Sequence, residues 1–251
     1  LTDNTNKKLE GDSSKSADTS TASSNFSLAA AGSIDITADK TKTTAKITNS
    51  TINTGKKAEV SSNNDTLVVD VNGGFAKAGN VATGAGVNIY RNLSETKSLV
   101  ENSTVKFSSE NTSENTDGLN VKSNFKAKLI DVTAGIGAAT NDQDNVKVGV
   151  GGSFAWNTMK NEVSAKINNS TVQKEDGAVN QNVNVLADDD TTIWNMTGGV
   201  AYAGGSGNTG VGAGIASTVN YSSKNINAQI TDSTIKDVKD VNVNADLKQD
   251  Y

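Results

Sequence analysis

The chain has 251 residues, 34% of them apolar and 4% aromatic, a formal net charge of -5, and no cysteine, histidine or proline. That inventory excludes a disulfide scaffold, zinc sites of the usual ligand kinds and every catalytic triad built on imidazole or thiolate. Arg91 is the only arginine and lysine is interspersed with aspartate, so there is no basic stripe and no nucleic-acid partner is expected.

Residues 1–25, ending in "SSKSADTSTASSN", carry almost nothing apolar and read as a flexible polar segment or an inter-coil loop. The opening "LTDNTNKKLEG" is not a signal peptide. A chain that starts without Met and ends on the strand-like "VNVNADLKQDY" is expected to be a piece of a longer one. From residue 26 the apolar period is two. "SLAAAGSIDITADK" leads into "ITNSTI" at 47–52 and then "VDV" at 69–71. "GGFAKAGN" follows at 73–80, "GAGVNIYRN" at 84–92 and "VENSTV" at 100–105. Next come "LNVKS" at 119–123, "AGIGAATN" at 134–141, "GVGGSFAWN" at 149–157 and "NEVSAKINNSTV" at 161–172. "VNVLA", "GGVAYAGG", "GVGAGIASTVN", "NINAQITDSTI" and "VNVNA" complete the chain in the same order.

The recurrence is a repeat. Asn157 matches Asn220, Val163 matches Ile226, Ala165 matches Ala228 and Ile167 matches Ile230, all at an offset of 63. The offset falls to 58 at Ala187 and Ala245, where "QKEDGAVNQ" shortens to "KDVKD", as a loop deletion would. The serines of the four "ST" copies lie 53, 67 and 63 residues apart (50, 103, 170 and 233). A unit of about sixty residues is therefore present about three and a half times. Such a unit looks long for one turn of a solenoid, and we expect each to hold several coils of twenty-odd residues.

Alternation such as Val163, Ala165 and Ile167 against Ser164 and Lys166 is strand periodicity with one buried face. No window carries a helical stripe with caps. Asn, Asp, Gly and Ser at the strand ends are turn formers, and the missing proline suits a backbone held in ladders. The expected fold is all-β, a right-handed parallel β-helix (β-solenoid) over residues 26–251 as a single domain. An antiparallel β-sandwich is the alternative, with "GSGN" as a hairpin tip. Gly/Ala-rich strands such as "GVGAGIAS" imply walls that approach closely, or else a smooth docking surface.

Chemistry has few candidates. Asp188, Asp189 and Asp190, or Asp142 and Asp144, offer oxygen ligands for calcium. Neighbouring strand residues point to opposite faces, so acidic turns are the plainer reading and neither metal nor cofactor is expected. Trp156, Trp194, Tyr90 and Tyr202 are the candidates for surface binding, with Trp156 and Tyr90 at similar places in the repeated element. Aromatics at repeated positions also serve as packing. No phosphate cradle or catalytic constellation occurs, and an enzyme is not expected. No apolar run reaches transmembrane length, so no membrane insertion by this segment is expected.

The succession of a Gly/Ala-rich strand, "xVxAxIxNSTV" and "xNVxVxA" resembles the repeats of very large secreted filamentous adhesins. It is most similar to those of the leukotoxin-like autotransporter adhesin group of Fusobacteria and related anaerobes, over about residues 26–251. The resemblance implies a right-handed β-helix stalk, secretion to the bacterial cell surface and contact with a host-cell protein or glycan. Neighbouring coils of a longer chain would be its other partners. A toxin or carbohydrate-active module on the same scaffold and a passive spacer are the alternatives.

Overall fold

The computed structural model describes residues 3–4, 7–9, 26–55, 57–108, 117–141, 146–175, 181–205 and 209–251. Among the described residues fourteen strands succeed one another. Two short ones, β1 (Asp3–Asn4) and β2 (Lys7–Leu9), precede β3 (Leu28–Thr48), β4 (Thr51–Thr54) and β5 (Ala58–Ala78). The same long–short–long succession recurs as β6 (Val81–Glu101), β7 (Thr104–Phe107), β8 (Asp117–Thr140) and as β9 (Lys147–Asn168), β10 (Thr171–Lys174), β11 (Asn182–Gly204). A fourth set is β12 (Gly210–Thr231), β13 (Thr234–Lys236) and β14 (Val241–Asp250).

First members stack on first members, second on second and third on third, giving three parallel sheets. We call them A (β3-β6-β9-β12), B (β4-β7-β10-β13) and C (β5-β8-β11-β14). The chain is thus a right-handed parallel β-solenoid, and hairpins do not replace its rungs. β11 and β12, which flank "GSGN", belong to different sheets, so that stretch joins two walls rather than two paired strands. Residues 206–208 within it lie outside the described residues.

One expectation fails. Each repeat is a single coil, because Ile47 pairs with Val100, Val100 with Ile167 and Ile167 with Ile230 in directly neighbouring strands. The long strands of 21 to 24 residues extend about 70 Å at ~3.3 Å per residue. Each turn is therefore wide and flat, closed at one end by the short sheet B. The register matches the repeat read from sequence: Asn157 faces Asn220, Ala165 faces Ala228 and Ala187 faces Ala245.

The repeated hexapeptide is the corner from sheet A to sheet B. Asn49, Asn102, Asn169 and Asp232 all have positive φ, between 43° and 51°, the left-handed turn that Asn and Asp tolerate best. The serine that follows bonds its own chain and accepts from the coil before. Ser170 Oγ donates to Asn168 O at 2.7 Å and accepts the amide of Ser103 at 3.1 Å. Ser103 does the same one coil earlier, donating to Glu101 O and accepting from Ser50 N. Thr171 N then donates to Ser103 O at 2.9 Å, opening sheet B. The motif satisfies backbone groups that a bend would otherwise strand. That is why the chain repeats it.

Inside, the coil divides along its width. Next to sheet B, Val100, Ile167, Val105, Val172, Leu119, Val121, Val163 and Val185 form one fully enclosed apolar cluster. A polar zone follows, with Asn88, Asn92, Asp131 and Asn157 inward and buried. Asn157 Nδ2 donates to Asn195 Oδ1 and Asn220 Oδ1 at 3.0 and 3.1 Å. Farthest from sheet B the walls meet on Ala and Gly. Ala29, Ala76, Ala82 and Ala139 make a small second cluster. A Cβ on Gly86 would lie 2.7 Å from Ala134 O, and one on Gly135 would overlap the Gly152 carbonyl. Close approach, not a smooth docking face, accounts for the inward glycines.

Of residues 1–25, Asp3–Asn4 and Lys7–Leu9 pair antiparallel with β3, opposite Thr41–Lys42 and Ile36–Ala38. The rest of that segment lies outside the described residues.

Candidate functional site

Strand alternation turns the glycine zone inside out. On sheet C the outward residues are Val69, Val71 and Phe75 in β5, Ile130, Val132 and Ile136 in β8, and Trp194, Met196, Val200 and Tyr202 in β11; Phe75, Ile136, Val200 and Tyr202 back onto the inward Gly and Ala, the others onto the neighbouring polar zone. They align in rows across the coils: Val69–Ile130–Trp194, Val71–Val132–Met196 and Phe75–Ile136–Val200. Val71 is 73% exposed and Met196 69%, so these rows face solvent. Sheet A carries the counterpart on the opposite wall, in the rows Ile34–Val87–Phe154 and Ile36–Ile89–Trp156–Val219. A contiguous exposed apolar band of this kind marks a contact surface far more often than scattered single residues do.

The aromatic candidates separate. Trp194 and Tyr202 lie outward on sheet C, at 65% and 59% exposure. Trp156 lies outward on sheet A, with Phe154 6.4 Å away between ring centroids. Its indole nitrogen donates to Thr158 Oγ1 at 3.0 Å. Trp156 and the Trp194–Tyr202 pair therefore look out from opposite walls. Lys128 Nζ sits 6.0 Å from the Trp194 ring and Lys160 Nζ 5.7 Å from the Tyr221 ring, so cations fringe the aromatic rows.

Tyr90 is removed from this set. It is 1% exposed and points into the polar zone, where Asn92 Nδ2 donates to its hydroxyl at 3.2 Å. Burial pushes its phenol well above the ordinary range, and the nearby Asp39 and Asp70 add to that against the Asn92 bond. The residue level with Trp156 is Ile89, not Tyr90. One position along a strand reverses the face, so Tyr90, level with the buried Asn157, points inward.

The half of the coil nearer sheet B has a different exterior. Lys42 Nζ bonds Glu95 at 3.3 Å, Lys97 bonds Glu95 at 2.7 Å, and Lys97 bonds Glu162 at 2.9 Å. These ion pairs climb three coils of sheet A. Hydrogen bonding from Lys97 holds Glu95 below the ordinary carboxylate range, against an upward push from burial. Burial would lower the Lys97 ammonium, but its bonds to Glu95 and Glu162 outweigh it and the net shift is upward. A shallow cleft of about 380 Å³ runs beside them, lined by Lys40, Lys42, Glu95, Lys160 and Glu162. Both of its glutamates are held by lysine.

The three consecutive aspartates do not converge. Asp189 points inward, while Asp188 and Asp190 point out of sheet C. Burial raises the Asp188 carboxyl, and Asp246, one coil along in the same row, raises it further. Asp190 faces Lys248 at 3.8 Å. Asp142 and Asp144 lie outside the described residues. Among the described residues no helix is long and apolar enough to cross a membrane.

The row Phe75–Ile136–Val200 escaped sequence reading because each of its residues is written between glycines or alanines. "AGIGAA" reads as a strand with little bulk, although Ile136 alone marks its outer face. The signal was the alternation itself, in which the small residues form the inner face.

The chain matches no protein-family model, no curated protein and no solved structure. What the coordinates establish is a repetitive parallel β-solenoid, an architecture common to large repeat proteins in general and suited to an extended structural module.

Proposed function

We propose that the chain is a structural and adhesive segment of a secreted bacterial surface protein of the filamentous adhesin kind, projecting and making contact with a host-cell protein or glycan. The apolar and aromatic rows on the outer walls carry this reading. A shaft that only separates two ends has no use for Trp194, Met196, Val200 and Tyr202 in water, and each exposed large side chain forgoes about 1.5–3 kcal/mol of burial. A partner that covers the rows recovers it. Stacking also suits export to a bacterial surface, because each coil can template the next and no disulfide is needed. The resemblance of the repeats to leukotoxin-like adhesins of Fusobacteria points the same way.

The test is binding of the purified chain to host cells and to a glycan array, beside the variant Trp194→Ser/Met196→Ser/Tyr202→Ser. We expect cell binding that falls at least tenfold in the variant. Absence of binding by the unaltered chain to both targets would leave a passive spacer.

A further inference from the structure

Three polar side chains meet inside the coil where β9, β11 and β12 come together, and none is explained by the outer walls. Lys224 and Asp189 have side chains 5% and 0% exposed. Lys224 Nζ lies 3.0 Å from Asp189 Oδ1 and 3.2 Å from Oδ2, and donates as well to Thr191 Oγ1. Asn161 is the direct neighbour of Lys224 in sheet A. It is buried, and its Nδ2 donates to Asp189 Oδ2 at 3.2 Å. The Asn161 Oδ1 is buried without a partner. Phe125 closes one side, with Lys224 Nζ 5.4 Å from its ring centroid.

One carboxylate thus touches both an amine and a carboxamide that sit side by side out of water. We propose that Lys224 and Asn161 are a self-modification site, joined by an Nζ–Cγ isopeptide bond whose proton traffic Asp189 carries. The amine needed is the neutral one, and burial lowers the Lys224 ammonium against the opposing pull of Asp189. Asp189 takes one proton from the ammonium. Nζ then attacks Cγ of Asn161, the Cγ–Nδ2 bond breaks, and Nδ2 leaves as ammonia with a second proton from Nζ. Asp189 keeps the first proton and, as a neutral acid, hydrogen-bonds through it to the new amide carbonyl, the oxygen that now lacks a partner. Nothing is oxidised or reduced, and net charge is unchanged. A buried ion pair, which is costly to hold in a core, gives way to a neutral amide and a neutral acid.

Asp189 is assigned as carrier rather than as the group attacked because its partners are Lys224, Asn161 and Thr191. None of these is an acid that could take over the proton traffic if the carboxylate were consumed. The corresponding positions on the other coils of sheet A are Thr41 and Ser94, so the bond would occur once. It would tie the third coil to the fourth, in a chain with no cysteine to do so.

The test is intact-mass spectrometry of the folded chain followed by peptide mapping, beside Lys224→Arg, which keeps a cation facing Asp189 and cannot form the bond. Circular dichroism checks that each variant folds. We expect the unaltered chain to be lighter by one ammonia and to yield a branched peptide joining residues 161 and 224. Lys224→Arg and Asp189→Asn should carry their full sequence masses. An unaltered chain at its full sequence mass overturns the proposal. So does ammonia loss without that branch, or loss of water with a branch from Lys224 to Asp189.

Discussion

The two halves of each coil solve opposite packing problems with the same strands. Near sheet B, Val163, Ala165 and Ile167 turn inward while Glu162 and Lys166 face out. At the far end Gly149, Gly151 and Ser153 turn inward, and Val148, Val150 and Phe154 face out. The first half is held by side-chain burial. The second is held by backbone ladders in walls too close for side chains, and its bulk is left on the surface. Period-two alternation is common to both, so alternation identifies a strand without saying which face is the core.

Four variants probe this contrast, one inside and one outside each half. Gly135→Val inside the far half should do most damage, since its Cβ would overlap the Gly152 carbonyl. We expect a loss above about 4 kcal/mol, read as a collapse of the thermal transition. Ile167→Ala inside the near half should cost about 2–5 kcal/mol, measured by urea unfolding. A cost for Gly135→Val no larger than that of Ile167→Ala would mean that the far walls can separate, and the contrast would fail.

Outside the near half, Lys97→Met removes the centre of the Glu95–Glu162 ladder. The loss should be about 1 kcal/mol or less, because the lysine is a third exposed. It should also depend on pH. Glu95 is held below the ordinary carboxylate range, so its share of stability is full above the unfolded carboxylate pKa. It fades as pH falls through the lowered folded value. The gap between unaltered chain and variant should therefore close in acid, and a gap that widened there would contradict the assignment. Outside the far half, Trp194→Ser/Met196→Ser should change stability least, by about 0.5 kcal/mol or less per site, while lowering binding of an apolar dye.

Much of the fold was legible. The serine spacing fixed the repeat, and Asn157–Asn220 and Ile167–Ile230 came out in register as read. The inward glycines pointed to close walls. The number of coils was not legible, because three strands of seven residues and one of twenty-one write the same alternation. Only the Asn-Ser-Thr corner marks a bend, and it occurs once per repeat. Tyr90 was not legible as an inner residue because it is level with Asn157, one position past Trp156, and one residue decides the face. Lys224 and Asp189 were invisible as a pair, since they come from different sheets and meet only when the walls close.

The direct test of one coil per repeat is a distance between spin labels at Lys46 and Gln229, which point outward in one row of sheet A. The chain has no cysteine, so two can be introduced without background. Three rungs at ~4.8 Å predict a backbone separation of about 15 Å. Three coils per repeat would instead place nine rungs between them, about 43 Å on the same spacing, and that distance would contradict the fold.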